Sequence, residues 1–262
     1  MEAKAGRRRL LTIVGALLAV GVVVAAVVVL TGSGGSDETA DATSTTLAGA
    51  SSTSVPGASD LPEPPPGATL TGATECPPED GSAERVQVFA GPPPDCLTAG
   101  ASYTATFATS SGSFTATLDA EAAPETVNNF VVLSRYRYFD GVPFHRVVPG
   151  FVIQAGDGDG APWNDNDLGY EIADELPTDS TAYADYSLAM ANSGPGTNGS
   201  QFFVVLPGGG AQLQPLYSFF GQVTEGQEIV DSIGALGSAG SASGAPTSTV
   251  LIDSITITET PG

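Results

Sequence analysis

Residues 10–30, LLTIVGALLAVGVVVAAVVVL, form an unbroken run of 21 uncharged and almost wholly apolar positions. As a helix this run extends about 31 Å, the thickness of the hydrocarbon layer of a bilayer. It predicts a single-pass transmembrane anchor in the cell membrane, with the lipid bilayer as a partner. Lys4, Arg7, Arg8 and Arg9 precede it. The positive-inside bias then assigns residues 1–9 to the cytoplasm and everything after Leu30 to the outside. The alternative is a secretory signal, with the rest secreted after cleavage. Signal cores are shorter, roughly 7 to 15 residues, and no small-x-small site lies just beyond Leu30, so an uncleaved anchor is expected. No cysteine sits near the end of the run, which argues against lipidation there.

Beyond residue 30 the chain carries 28 acidic residues against four arginines and no lysine, a net charge of about −24. Such a surface repels phosphate backbones, so nucleic acid is not an expected partner, and self-repulsion points to a monomer. Residues 31–75 are rich in Gly, Ser, Thr, Ala, Asp and Pro, with no hydrophobic period, and read as a linker. A lead-in, 76–100, contains the only cysteines, Cys76 and Cys96, separated by turn-forming PPEDG and GPPPD. On the outer side of a membrane the pair reads as a disulfide closing a loop of some twenty residues, with two separate buried thiols as the alternative. Two cysteines and one distant histidine cannot make a four-ligand zinc site, and no metal or other cofactor is expected.

From residue 101 to 262 the pattern is that of one globular domain. SYTATFATS and GSFTATLDA alternate around a Ser-Gly turn and predict a β-hairpin. In APETVNNFVVLSRYRYF, Pro124 suits a first helical turn and Glu125 its positive end, while Val127, Phe130, Val131 and Ser134 recur at helical spacing. Short strand-like runs follow (PFHRVV, FVIQA, SLAMA, QFFVVL, SFFGQV), then a helical GQEIVDSIGAL and an alternating STVLIDSITITET. Mostly strands with two helices predict a mainly β fold, a closed barrel.

The segment FHRVVPGFVIQAGD raises the chemical question. Pro149-Gly150 signals a turn between two antiparallel strands, 144–148 and 151–155, and alternation places Phe144, Arg146 and Val148 on one face. A guanidinium is not buried without a partner, so Arg146 is expected to meet Gln154 or a carboxylate at an apolar cleft, the alternative being a surface arginine on an edge strand. His145 has no GxSxG or HExxH motif to accompany it, and it reads as a neighbour of the site that supports the strand and not as a general base.

FHRVVPGFVIQAGD together with SLAMANSGPGTNGSQFFVVL resembles the cyclophilin family of peptidyl-prolyl cis-trans isomerases. The resemblance runs from about Ala101 to Thr258 through APETVNNFVVLSRYRYFDGVPFHR, GYEIADEL and FFGQV. The anchor and Pro-rich lead-in are similar to those of exported bacterial cyclophilins. The family implies an eight-stranded antiparallel barrel capped by two α-helices, acting on proline-containing peptide segments without a cofactor. It implies a catalytic role for Arg146, with Gln154 orienting the guanidinium and contacting the substrate backbone. Substrate would be bound by His145, Phe151, Val152, Ala191, Asn192, Phe203, Leu213 and Tyr217, with Gln201 at the rim and the Asn192 backbone holding the peptide. A non-catalytic proline-binding module or chaperone on the same fold is the competing expectation.

Three positions depart from the family. Gln212 stands where a tryptophan is frequent, which counts against tight cyclosporin binding, and Tyr217 replaces a frequent histidine. The loop DGDGAPWNDNDLGYE carries Asp157, Asp159, Asp165 and Asp167 in place of a Gly/Thr-rich run. Its spacing fails the EF-hand pattern, so these acids are expected to be solvated turn residues and not calcium ligands. NGS at 198–200 matches a glycosylation acceptor but is expected to serve backbone geometry.

Overall fold

The computed structural model describes residues 61–158, 168–238 and 244–262. The expected hairpin forms from β3 (Ser102–Thr109) and β4 (Gly112–Leu118), with Phe107 opposite Phe114 and their rings stacked 4.4 Å apart. Tyr103, Ala105 and Phe107 point inward while the residues between them are exposed or half-exposed, the period of two read from the sequence. The other strands are β5 (Arg146–Val148), β6 (Val152–Ala155), β7 (Ser187–Met190), β8 (Phe202–Val205), β9 (Phe219–Glu225) and β10 (Ile252–Thr260). They complete an eight-stranded antiparallel sheet in the order β10-β3-β4-β9-β7-β8-β6-β5.

The sheet curls but does not close, contrary to the expected closed barrel. No ladder joins its end strands β5 and β10. The outer edge of β5 is instead taken by a loop, with Val147 N donating to Gly244 O at 2.7 Å. Only the segment before β5 reaches across: Pro143 bridges Leu251, and Phe144 N donates to Val250 O at 2.9 Å. A covered edge satisfies the backbone as well as a paired one.

Helix α1 (Pro124–Arg135) fills the curl, and α2 (Gln227–Gly234) packs on β4, β5 and β6. Phe130 stands among Phe107, Phe139, Phe202 and Phe220, with ring centroids 5.1 to 6.0 Å away. α1 is more buried than an amphipathic helix, since every residue from Thr126 to Arg135 is covered. Its polar side chains are held inside: Asn129 donates to Gly199 O, Ser134 to Phe130 O, and Arg135 pairs with Glu259 at 2.8 Å. The N-terminal amides of Glu125 and Thr126 are satisfied by the Glu175 carboxylate, fifty residues away for one of them.

The linker ends earlier than its composition suggested, because residues 65–75 already hold the domain. A two-stranded parallel sheet joins β1 (Ala68–Thr69) to β2 (Val86–Val88), and Val86 N donates to Tyr136 O at 3.0 Å. Phe89 is 1% exposed and lies in the main core against Tyr136, Tyr138 and Tyr170. Cys76 and Cys96 are disulfide-bonded, and Asn128 of α1 bonds Cys96 N and Pro94 O. Among the described residues no helix is long and apolar enough to cross a membrane; the expected span, 10–30, lies outside them.

Candidate active site

The turn at Pro149-Gly150 is set by Gly150, whose φ of +66° is left-handed, and it pairs Arg146 directly with Gln154 across β5 and β6. The strands are shorter than expected, and Phe144 does not share a face with Arg146. Phe144 and Val147 both enter the main core, because pairing with β6 begins only at Arg146 and the residues before it bond instead to 250–252.

Arg146 is half-buried with its Cζ 5.8 Å from the centre of the Phe151 ring. Its Nη1 donates to Gln154 Oε1 at 3.2 Å. Gln154 Nε2 donates to Gln201 Oε1 at 2.9 Å, and Gln201 Nε2 to Asp157 Oδ2 at 2.9 Å. Asp157 is therefore not a solvated turn acid but the buried end of a side-chain relay, 9% exposed. Asp159, Asp165 and Asp167 lie outside the described residues. Burial lowers the Arg146 pKa from its ordinary value, yet a guanidinium remains a cation at neutral pH.

Beside this relay lies a second apolar cluster, separate from the main core. Val152, Phe203 and Leu213 are its buried members named from the sequence, and Phe151, Ala191 and Tyr217 form its half-buried rim. Adjacent residues of β8 divide between the two clusters: Phe202 faces the main core and Phe203 this second cluster. Leu213 is delivered by a 3-10 turn, 209–212, which presses so closely on the strand turn that a Cβ on Gly209 would sit 2.2 Å from Phe151 O. Gln212 caps that contact, donating to Gly150 O at 3.1 Å. Tyr183, Ala189, Val205 and Phe219 also belong to this cluster and carry no signal in the sequence that marks them for it. Tyr183 closes its floor, donating to Tyr217 O at 2.7 Å and accepting from Tyr217 N at 3.1 Å.

Asn192 turns its side-chain amide to Leu216 O at 2.9 Å, and its backbone makes no hydrogen bond among the described residues. His145 is buried outside the recess cluster, and burial, reinforced by the Arg146 charge, pushes its pKa down to about 4. So weak a base is poorly suited to proton abstraction near neutral pH. Asn198 is 0% exposed and donates to Ala173 O, Asp174 Oδ1 and Ser218 Oγ, which places the NGS motif inside the fold.

A curled antiparallel sheet with two helices, bearing a half-buried guanidinium beside a second apolar cluster, defines a cyclophilin-like protein. Residues 104–257 match the family described as cyclophilin type peptidyl-prolyl cis-trans isomerase/CLD, and the chain belongs to that family. A probable peptidyl-prolyl cis-trans isomerase A of Mycobacterium leprae is 39% identical over 175 residues, covering 59% of this chain and 91% of the relative. A peptidyl-prolyl cis-trans isomerase-like 1 of Emericella nidulans is 40% identical over 130 residues, covering 49% of this chain and 80% of its own. Among solved structures, a cyclophilin type isomerase of Cryptosporidium parvum aligns with TM-score 0.55 at 29% identity, over 61% of this chain and 99% of its own. The same protein in the presence of the dipeptide Ala-Pro aligns with TM-score 0.54, over 59% and 98%.

Proposed function

We propose that this chain accelerates cis-trans isomerisation of X-Pro bonds in exported or cell-envelope proteins, with residues 10–30 holding it to the membrane. The observation that carries the reading is the Arg146 guanidinium, half-buried and hydrogen-bonded to Gln154 beside the second apolar cluster. The uncatalysed barrier of about 18 to 20 kcal/mol comes from amide resonance, and no bond to a heavy atom is made or broken. What the reaction needs is a recess for the pyrrolidine ring and a donor that favours the twisted amide over both planar forms.

Val152, Phe203 and Leu213 supply the recess. Arg146 supplies the donor: a hydrogen bond to the prolyl nitrogen forms as that atom pyramidalises and withdraws its lone pair from resonance. Bringing a process of tens of seconds into milliseconds takes a factor of about ten thousand, or roughly 5 to 6 kcal/mol of differential stabilisation. The backbone of Asn192, which makes no hydrogen bond among the described residues, offers the peptide a strand-like partner.

The test is the cis-to-trans rate of a short X-Pro peptide with the full chain in detergent micelles and with its Arg146→Ala variant. Acceleration by the unmodified chain, lost in a folded variant, supports the reading. Saturable peptide binding with no acceleration sinks it in favour of a proline-binding module.

A further inference from the structure

The lead-in outside the family match reaches the catalytic relay from behind. Arg85, just before β2, donates through Nη1 to Pro65 O at 2.5 Å and through Nη2 to Tyr138 O at 3.0 Å and Gly158 O at 3.1 Å. Gln87 Nε2 donates to the same Gly158 oxygen at 3.2 Å. No carboxylate pairs with this half-buried guanidinium among the described residues; backbone carbonyls take its Nη1 and Nη2, while its Nε is buried without a hydrogen bond. From the other side, Gly158 N donates to the Tyr138 hydroxyl at 3.1 Å, and that hydroxyl lies 2.9 Å from Ser200 Oγ. The fit is tight enough that a Cβ on Gly158 would sit 2.3 Å from the Tyr138 ring. The Gly158 peptide is therefore gripped at both its N–H and its C=O, and Asp157 stands immediately before it.

Asp157 determines the direction of the relay. A carboxylate accepts hydrogen bonds and does not donate them, so Gln201 must turn its amide nitrogen toward Asp157. That leaves Gln201 Oε1 for Gln154 Nε2, which in turn leaves Gln154 Oε1 for the guanidinium. Were either amide reversed, Gln154 would present N–H groups to Arg146, donor against donor.

We infer that Arg85 and Gln87 of the lead-in, acting through the Asp157–Gly158 corner, are positioning residues for Arg146. The inference rests on the isomerase reading of the site. Asp157 fixes which end of each amide faces its neighbour, and the lead-in fixes where Asp157 stands. None of the three touches substrate, so their loss lowers kcat and leaves KM nearly unchanged.

The test measures kcat and KM for an X-Pro peptide with the full chain, with Asp157→Asn, and with Arg85→Met combined with Gln87→Ala. Each is repeated in a Gln201→Ala background, where the relay is already cut. Expected is a loss in kcat of about fivefold for each change, the worth of one net hydrogen bond, with KM within about twofold. In the Gln201→Ala background neither change should cost anything further. Full kcat in both variants, or the same loss with and without Gln201, overturns the inference and leaves the lead-in a purely structural brace. If the double lead-in variant does not fold, Gln87→Ala alone, which removes one of the donors to Gly158 O, takes its place with the same two outcomes. An inactive unmodified chain overturns the isomerase reading itself and this inference with it, an outcome read before any variant is made.

Discussion

Phe203 and Tyr217 meet edge to face, their ring centroids 5.4 Å apart and their planes at 87°. The pair joins β8 to the segment that precedes β9, so one wall of the recess is a strand and the next a loop. Phe203→Ala removes the wall against which a pyrrolidine ring would pack. KM is expected to rise by about tenfold or more, the worth of losing one buried aromatic contact. Tyr217→Phe, which keeps the ring, is expected to leave KM within about twofold, and peptide titrations of both variants check this.

Arg146→Lys keeps the charge and loses the fork. A lysine ammonium is a compact, strongly hydrated donor that cannot hold Gln154 Oε1 and a prolyl nitrogen in one fixed plane. The expected fall in kcat/KM is about a hundredfold, comparable to losing one pre-set donor at a developing charge. Far-UV and near-UV circular dichroism should stay unchanged, since Arg146 is half-buried at the rim and outside the main core.

His145 predicts how stability depends on pH. Its folded-state pKa of about 4 lies below the ordinary 6.5, so between those values the unfolded chain binds a proton that the folded chain refuses. Its contribution to stability is complete above about pH 6.5 and is lost progressively as pH falls toward about 4. Urea unfolding from pH 7 to 4 should therefore show a steeper loss for the unmodified chain than for His145→Gln. Equal slopes would mean that His145 is not the group responsible.

The NGS motif should remain free of glycan even in a host that glycosylates exported proteins. The Asn198 amide is enclosed and donates to three oxygens of the fold. Mass spectrometry of the folded product checks it, and a modified Asn198 would contradict the buried placement. Asn198→Ala should cost about 1 to 3 kcal/mol, because it leaves acceptors such as Ala173 O without this donor.

Replacing Cys96 by serine opens a loop with a sequence separation of 20. The expected loss is about 3 kcal/mol in urea unfolding, from the freedom the unfolded chain regains. The unmodified chain under reducing conditions should show the same shift.

Much of this was legible because it is written locally. The alternation of SYTATFATS and GSFTATLDA around a Ser-Gly turn suffices to predict the hairpin that forms. The Arg146–Gln154 contact follows from a two-strand turn, since a tight turn fixes the register. What escaped depends on distance along the chain. Tyr183 reaches the recess through a bond to residue 217, and the Glu175 carboxylate finds Thr126 across 49 positions. Neither leaves a periodic mark. Asp157 misled for a related reason: in a run rich in Asp and Gly it reads as solvated, and only the fold brings Gln201 to it. The open edge of β5 was hidden likewise, because the carbonyl that covers it comes from Gly244, in a loop with no strand pattern.

The burial of Phe89 means that the family match and the unit of folding have different borders in this protein. The match to the family begins at residue 104, whereas the hydrophobic core takes in a phenyl ring from residue 89. A chain trimmed to the matched stretch would carry a hole facing Tyr136, Tyr138 and Tyr170. Anyone excising this domain, or transplanting it into another protein, should cut well upstream of where resemblance stops.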